Sequence, residues 1–147
     1  MSTELIKRKL DSIRGEVISS TTRVEFILGY RLRTYFYPKN NSKSSILFWN
    51  VINTPCLTFD NKISIYRSIP YFKKLKGYNK ISESLGFIQK LRNQIAHWEL
   101  DEKESKLENI IIFTLVGKYR KIVINNHLIE EYKKHINFLL KSFGYNR

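Results

Sequence analysis

Ile81-Ser82-Glu83-Ser84-Leu85-Gly86-Phe87-Ile88-Gln89-Lys90-Leu91-Arg92-Asn93-Gln94-Ile95-Ala96-His97-Trp98 is the stretch whose reading decides the fold. Its apolar positions Ile81, Leu85, Ile88, Leu91, Ile95 and Trp98 recur at spacings of 4, 3, 3, 4 and 3, the pattern of a helix with one buried face. At about 100° per residue, Arg92 falls about 40° from Ile88, inside that apolar stripe. A guanidinium there must be paired, placed at an interface, or used. Asn93 and His97, four residues apart, share a face about 140° around from Arg92. One straight helix therefore does not aim all three groups at one point. Either the helix ends near His97 and the imidazole swings round, or a second copy completes the site. Ala96 is the only alanine in the chain, and its small side chain admits a backbone or ligand beside His97.

Working outward, Ile6, Leu10, Ile13, Val17, Thr21, Val24, Leu28, Leu32 and Tyr35 continue the 4 and 3 spacing with no proline before Pro38. They predict a helix of about 34 residues and about 50 Å. The weak helix formers Ser19-Ser20-Thr21-Thr22 mark the expected bend or break. Pro38 to Ser44 reads as a loop. A short apolar helix with Ile46, Leu47, Trp49 and Val51 follows, ending before Pro55. Thr58 can cap a helix carrying Phe59, Ile63, Tyr66 and Ile69, stopped by Pro70. Beyond Trp98, the β-branched and aromatic runs Asn109 to Val116 and Tyr119 to Ile124 flank Gly117-Lys118 as a hairpin. Asn126 can cap a last helix with Ile129, Tyr132, Ile136, Leu139 and Phe143, closed by Gly144. The expected fold is all-α: one domain over residues 1–147, a bundle of about four to five helices with a small β-hairpin before the C-terminal helix. The first helix and the Ile81–Trp98 helix should pack together.

The 147 residues carry 26 Lys and Arg against 13 Asp and Glu, a net charge of +13 that selects polyanions as partners. Lys73, Lys74, Lys76 and Lys80 lie among Tyr71, Phe72 and Tyr78, an interleaving suited to single-stranded nucleic acid and so a candidate RNA-binding stretch. The competing reading has those aromatics anchoring a loop beneath a solvated lysine face. Five of the thirteen acids, Glu99, Asp101, Glu102, Glu104 and Glu108, follow the motif helix and predict a loop turned away from a phosphate backbone. Glu25 is expected in a surface ion pair on its own helix. The single cysteine, Cys56, sits among apolar neighbours and reads as a buried thiol. With no apolar N-terminal run and no stretch of about 18 apolar residues, the expectation is a cytoplasmic protein without a membrane span.

A glycine-rich phosphate loop is absent, and His127 and His135, eight apart, make no zinc-ligand pair. The sequence therefore calls for no cofactor or metal. His135 reads as a packed surface histidine, and nothing supports a Ser-His-Asp set. Arg92 and His97 suffice for one reaction. In RNA the 2′-hydroxyl can attack the adjacent phosphorus, leaving a 2′,3′-cyclic phosphate and a 5′-hydroxyl. Imidazole can take or give the proton near neutral pH, and a guanidinium can hold the developing charge bidentately. Asn93 could orient His97 or bind the phosphate. Arg92 pairing with Glu25, and His97 ending the helix, is the structural alternative.

An arginine five residues ahead of a histidine arises by chance in about one such chain in five, but Asn after the Arg and Ala before the His lower this below about one in a hundred. The string Arg92-Asn93-Gln94-Ile95-Ala96-His97 resembles the signature of the HEPN superfamily: an arginine followed by a polar residue, then a histidine. The resemblance matches Arg92, Asn93 and His97 to those roles over about six residues. It implies a small helical bundle that dimerises with two motifs face to face, and a metal-independent RNase of toxin–antitoxin or phage-defence (abortive infection) type. The implied partners are RNA, a second copy of the chain, and an antitoxin or other defence protein. A non-catalytic RNA-, nucleotide- or protein-binding module is the alternative function, and a scaffold within a defence complex a third.

Overall fold

In the computed structural model, which describes residues 3–144, helix α1 (Thr3–Phe36) runs unbroken along the molecule. The expected break at Ser19–Thr22 does not occur. Ser20 and Thr21 instead turn their hydroxyls to the Tyr132 phenol, at 2.7 and 2.8 Å, and Tyr132 Oη also donates to the Val17 carbonyl at 3.0 Å. Tertiary hydrogen bonds here override a weak local propensity, and Thr21 is buried inside the α1 stripe.

After the 37–41 loop, Asn41 caps α2 (Ser42–Leu47) in a capping box with Ser44, and a π-helical turn follows over Phe48–Ile52. Both elements lie in the predicted place, but the face is reversed. Phe48 and Ile52 are buried, whereas Ile46, Trp49 and Val51 are more than half exposed. Ser44, Phe48 and Ile52, four residues apart, form the inner face, and most of the apolar residues read from the sequence lie off it. Cys56, in the connection that follows, is exposed rather than buried. Thr58 caps α3 (Phe59–Ser68) through Asn61 N, as expected. Pro70 ends that helix and opens the single turn α4 (Pro70–Lys73), where a missing N–H costs nothing.

Helix α5 (Tyr78–His97) starts after Gly77, whose φ of 85° only glycine adopts without strain. It packs against α1, α3 and α6 (Asn126–Ser142), and Leu85, Ile88 and Ile95 have no exposed surface. Between α5 and α6 lies an antiparallel sheet with strand order β1-β2-β3, comprising β1 (Glu99–Leu100), β2 (Ile110–Thr114) and β3 (Arg120–Ile124). The predicted hairpin is therefore the larger part of a three-stranded sheet, in which Ile110, Ile112 and Ile124 face the core. Asn125, one residue earlier than expected, caps α6 through Leu128 N. The described residues thus form six α-helices and the π turn, more helices than the four to five expected, because the single turn α4 is too short to show a periodic stripe. No helix among them is long and apolar enough to cross a membrane.

Glu25 does not pair on its own helix. Its Oε1 lies 2.7 Å from Lys62 Nζ of α3, and the Lys62 side chain is only 2% exposed.

Candidate active site at the end of the motif helix

His97 is the last residue of α5, and Trp98 N closes the helix on Gln94 O at 2.9 Å. The final carbonyls are held from outside. Arg14 of α1 donates from Nε to Ile95 O (2.9 Å) and from Nη2 to Trp98 O (2.8 Å). A cation on the last carbonyls complements both their unpaired lone pairs and the negative helix end. The chain then extends at once into β1, which pairs Glu99 with Phe113 and Leu100 with Ile112. That register carries the β2–β3 turn, residues 115–119, back over the helix end, with Gly117 at φ 74°.

The result is an open cleft of about 460 Å³. One side is Asn93, Gln94, His97 and Trp98; the other is Thr114, Val116, Gly117, Lys118 and Arg120. His97 is exposed and has no hydrogen-bond partner among the described residues. Lys118 and Arg120 are exposed, and neither is in an ion pair among the described residues. None of the five acids of the 99–108 run lines the cleft. Two are engaged elsewhere, Glu102 with Lys7 at 2.6 Å and Glu104 with Lys121 at 2.8 Å. Those contacts hold both lysine ammonium groups above their usual pKa, first through the hydrogen bond and then through the charge.

Arg92 faces elsewhere. Its Nη1 donates to Asn93 Oδ1 at 3.0 Å, and with Asn93 it lines a separate recess of about 330 Å³. Glu25, Thr58, Phe59 and Asp60 form much of the rest. Arg92 is half-buried and forms an ion pair with neither carboxylate. Asn93 is the wall shared by both spaces, so within one chain the arginine and histidine are neighbours across Asn93 rather than facing each other. The Asn93 amide binds Arg92 and makes no hydrogen bond to His97.

The lysines lie far from this cleft. Lys73, Lys74, Lys76 and Lys80 are all exposed at the opposite end of α5. Lys80 is seventeen residues before His97, about 26 Å along the helix axis. Lys80 Nζ sits 4.6 Å over the Phe138 ring, and Phe72 and Tyr78 pack inward against Tyr66. Of the aromatics there, Tyr71 is left more than half exposed. His135 is packed as expected, its Nδ1 2.9 Å from Ser84 Oγ and its ring stacked on Phe87.

Three residues of the site escape sequence reading. Lys118 and Arg120 enter the cleft only through the β1–β2 pairing, and a two-residue strand leaves no alternation to detect. Arg14 reaches the helix end across 81 residues of sequence, as one more cation on a basic helix. Among the described residues no group of three His, Cys, Asp or Glu is placed to hold a metal ion. Compared with known proteins, the chain matches no family model, no curated protein and no solved structure.

Proposed function

We propose that the protein is a metal-independent endoribonuclease in which His97 moves the proton and cations hold the phosphate. The observation that carries this reading is the unpartnered, exposed His97 in a cleft whose far wall supplies Lys118 and Arg120. In the step, the 2′-oxygen bonds to phosphorus as its proton leaves, and the P–O5′ bond breaks as the 5′-oxygen gains one. Imidazole serves either transfer near neutral pH. Arg92 acts on the same phosphate from a second copy of the chain, because in its own chain it opens on the other side of Asn93. A twofold pairing of motifs is the self-complementary way to make that arrangement. The resemblance of Arg92-Asn93-Gln94-Ile95-Ala96-His97 to the HEPN signature supports this assembly, and with it a role as a toxin or phage-defence effector.

A second reading is favoured by the Arg92–Asn93 bond, which holds the arginine away from His97. In it the protein binds RNA or a nucleotide without cutting it. Incubation with RNA in EDTA separates the two. Cleavage leaving cyclic-phosphate ends, lost by about two or more orders of magnitude in His97→Ala with binding kept, supports the enzyme. RNA retained intact by both proteins supports the binder and overturns the enzyme. Growth arrest on expression of the parent but not of His97→Ala tests the toxin role.

A further inference from the structure

Arg33 lies in the last turn of α1 and is only 4% exposed, yet its guanidinium makes no hydrogen bond and no ion pair among the described residues. Its nearest aromatic neighbour is Tyr30, whose ring centroid lies 4.4 Å from the guanidinium carbon. That ring and the negative end of α1 temper the charge but leave the fork of N–H donors unfilled. No side-chain nitrogen or oxygen among the described residues is both fully buried and without a partner, so these donors keep a contact with solvent. The guanidinium lines a recess of about 190 Å³ that contains no acidic residue. Phe26, Tyr30 and Trp49 form its rim, and each is between 40% and 58% exposed. Asn40 and Ser45, also on the rim, have side chains with no partner among the described residues.

We propose that this recess binds a nucleotide, with Arg33 holding the phosphate and the rim aromatics stacking on the base. The chemistry selects that ligand on three counts. A bidentate fork with no carboxylate matches a phosphate. Exposed rings beside it match a planar base, which stacks without regard to sequence. The Asn40 amide and Ser45 hydroxyl match the ring heteroatoms and sugar hydroxyls that a phenyl phosphate lacks. The volume is below the about 300–1,000 Å³ of a full small-molecule pocket, so the recess takes the phosphate while the base lies on its outer rim. The nucleotide is either free or the phosphorylated end of an RNA strand. This site is distinct from the His97 cleft and does not depend on cleavage there.

Calorimetric titration tests it. Adenosine 5′-monophosphate should bind at least about tenfold more tightly than adenosine or inorganic phosphate. Arg33→Met should lose that binding while keeping a cooperative melting transition, because it removes the fork and keeps the stem. Arg33→Lys, which keeps the charge without the fork, should bind more weakly than the parent. Trp49→Ala should weaken the nucleotide but not inorganic phosphate, and His97→Ala should bind as the parent does. A 2′-O-methyl oligonucleotide that binds more tightly with a 5′-phosphate than with a 5′-hydroxyl, by a margin lost in Arg33→Met, identifies a strand end; no such margin identifies the free nucleotide. Parent-like affinity in Arg33→Met, or tighter binding of phosphotyrosine than of nucleotide, overturns the proposal.

Discussion

Replacing Glu25 by Gln should destabilise the fold far more than replacing Lys62 by Met, although both remove the same ion pair. The asymmetry follows from burial. The Lys62 side chain is 2% exposed, and its ammonium, 2.7 Å from Glu25 Oε1, has no other hydrogen-bond partner among the described residues, while the Glu25 side chain is 25% exposed. Glu25→Gln strands a positive charge in the core beside Gly29, Phe48 and Ile52. Stranding one partner of a buried pair costs about 3–5 kcal/mol, and access of water to the carboxylate side favours the lower end. Lys62→Met keeps an unbranched stem of similar reach and leaves the carboxylate open to water, so its cost should stay below about 1 kcal/mol. With a slope of about 2 kcal/mol/M in urea, Glu25→Gln should lower the unfolding midpoint by about 1.5 M and Lys62→Met by less than about 0.5 M. The double variant should regain most of the difference, since the charge that Glu25→Gln strands is no longer present. Equal losses from the two single variants, or a larger loss from Lys62→Met, would refute the argument.

Tyr132→Phe should cost about 1–3 kcal/mol at pH 7, because the phenol joins Ser20, Thr21 and the Val17 carbonyl in a buried network; urea unfolding checks it. Burial raises the pKa of Tyr132 and of Tyr66 above 10.0, so the folded state favours the neutral phenol. Their contribution is complete below pH 10 and is lost as pH rises through the raised folded values, so parent stability should fall above pH 10 and the cost of Tyr132→Phe should shrink there. Arg14→Ala should lower stability by about 1–3 kcal/mol and reduce RNA cleavage as well, by loosening the helix end that carries His97; parent-like cleavage in a destabilised but folded protein would separate the two effects. Replacing Lys73, Lys74, Lys76 and Lys80 by Gln should flatten the salt dependence of RNA binding, by about 0.7 in logarithmic slope for each phosphate no longer neutralised, while cleavage of bound RNA continues.

The long elements are written plainly in the sequence. The 4 and 3 spacing from Ile6 to Leu32 and from Ile81 to Ile95 names residues that are buried, with Ile13 partly so, and Thr58 caps where its hydroxyl predicts. What escapes notice depends on groups distant in sequence or on short elements. Ser19–Thr22 is weak as an isolated helix, and only Tyr132, more than 100 residues later, accounts for its continuity. Phe48 lies inside and Trp49 outside because Phe48 continues the buried row of Ser44 and Ile52, in a segment too short for its apolar residues to show which face is inner. Arg92, Asn93 and His97 are legible as a motif, and helix geometry already denies them a common focus. Their division between two recesses, and the entry of Lys118 and Arg120, require the β1–β2 register.

The five-residue turn between β2 and β3 has consequences for how this protein can diversify. His97 is fixed by a packed helix that tolerates little change, whereas Leu115, Val116 and Lys118 sit on an exposed loop whose ends are clamped by the Thr114–Arg120 pairing. Loops of this kind accept insertions and charge changes that a packed helix refuses. Ligand preference can therefore drift, or be re-engineered by loop grafting, as a nearly independent trait while the histidine stays in place. A library randomised at positions 115, 116, 118 and 119, with Gly117 kept for its φ of 74°, would sample recognition without disturbing the fold.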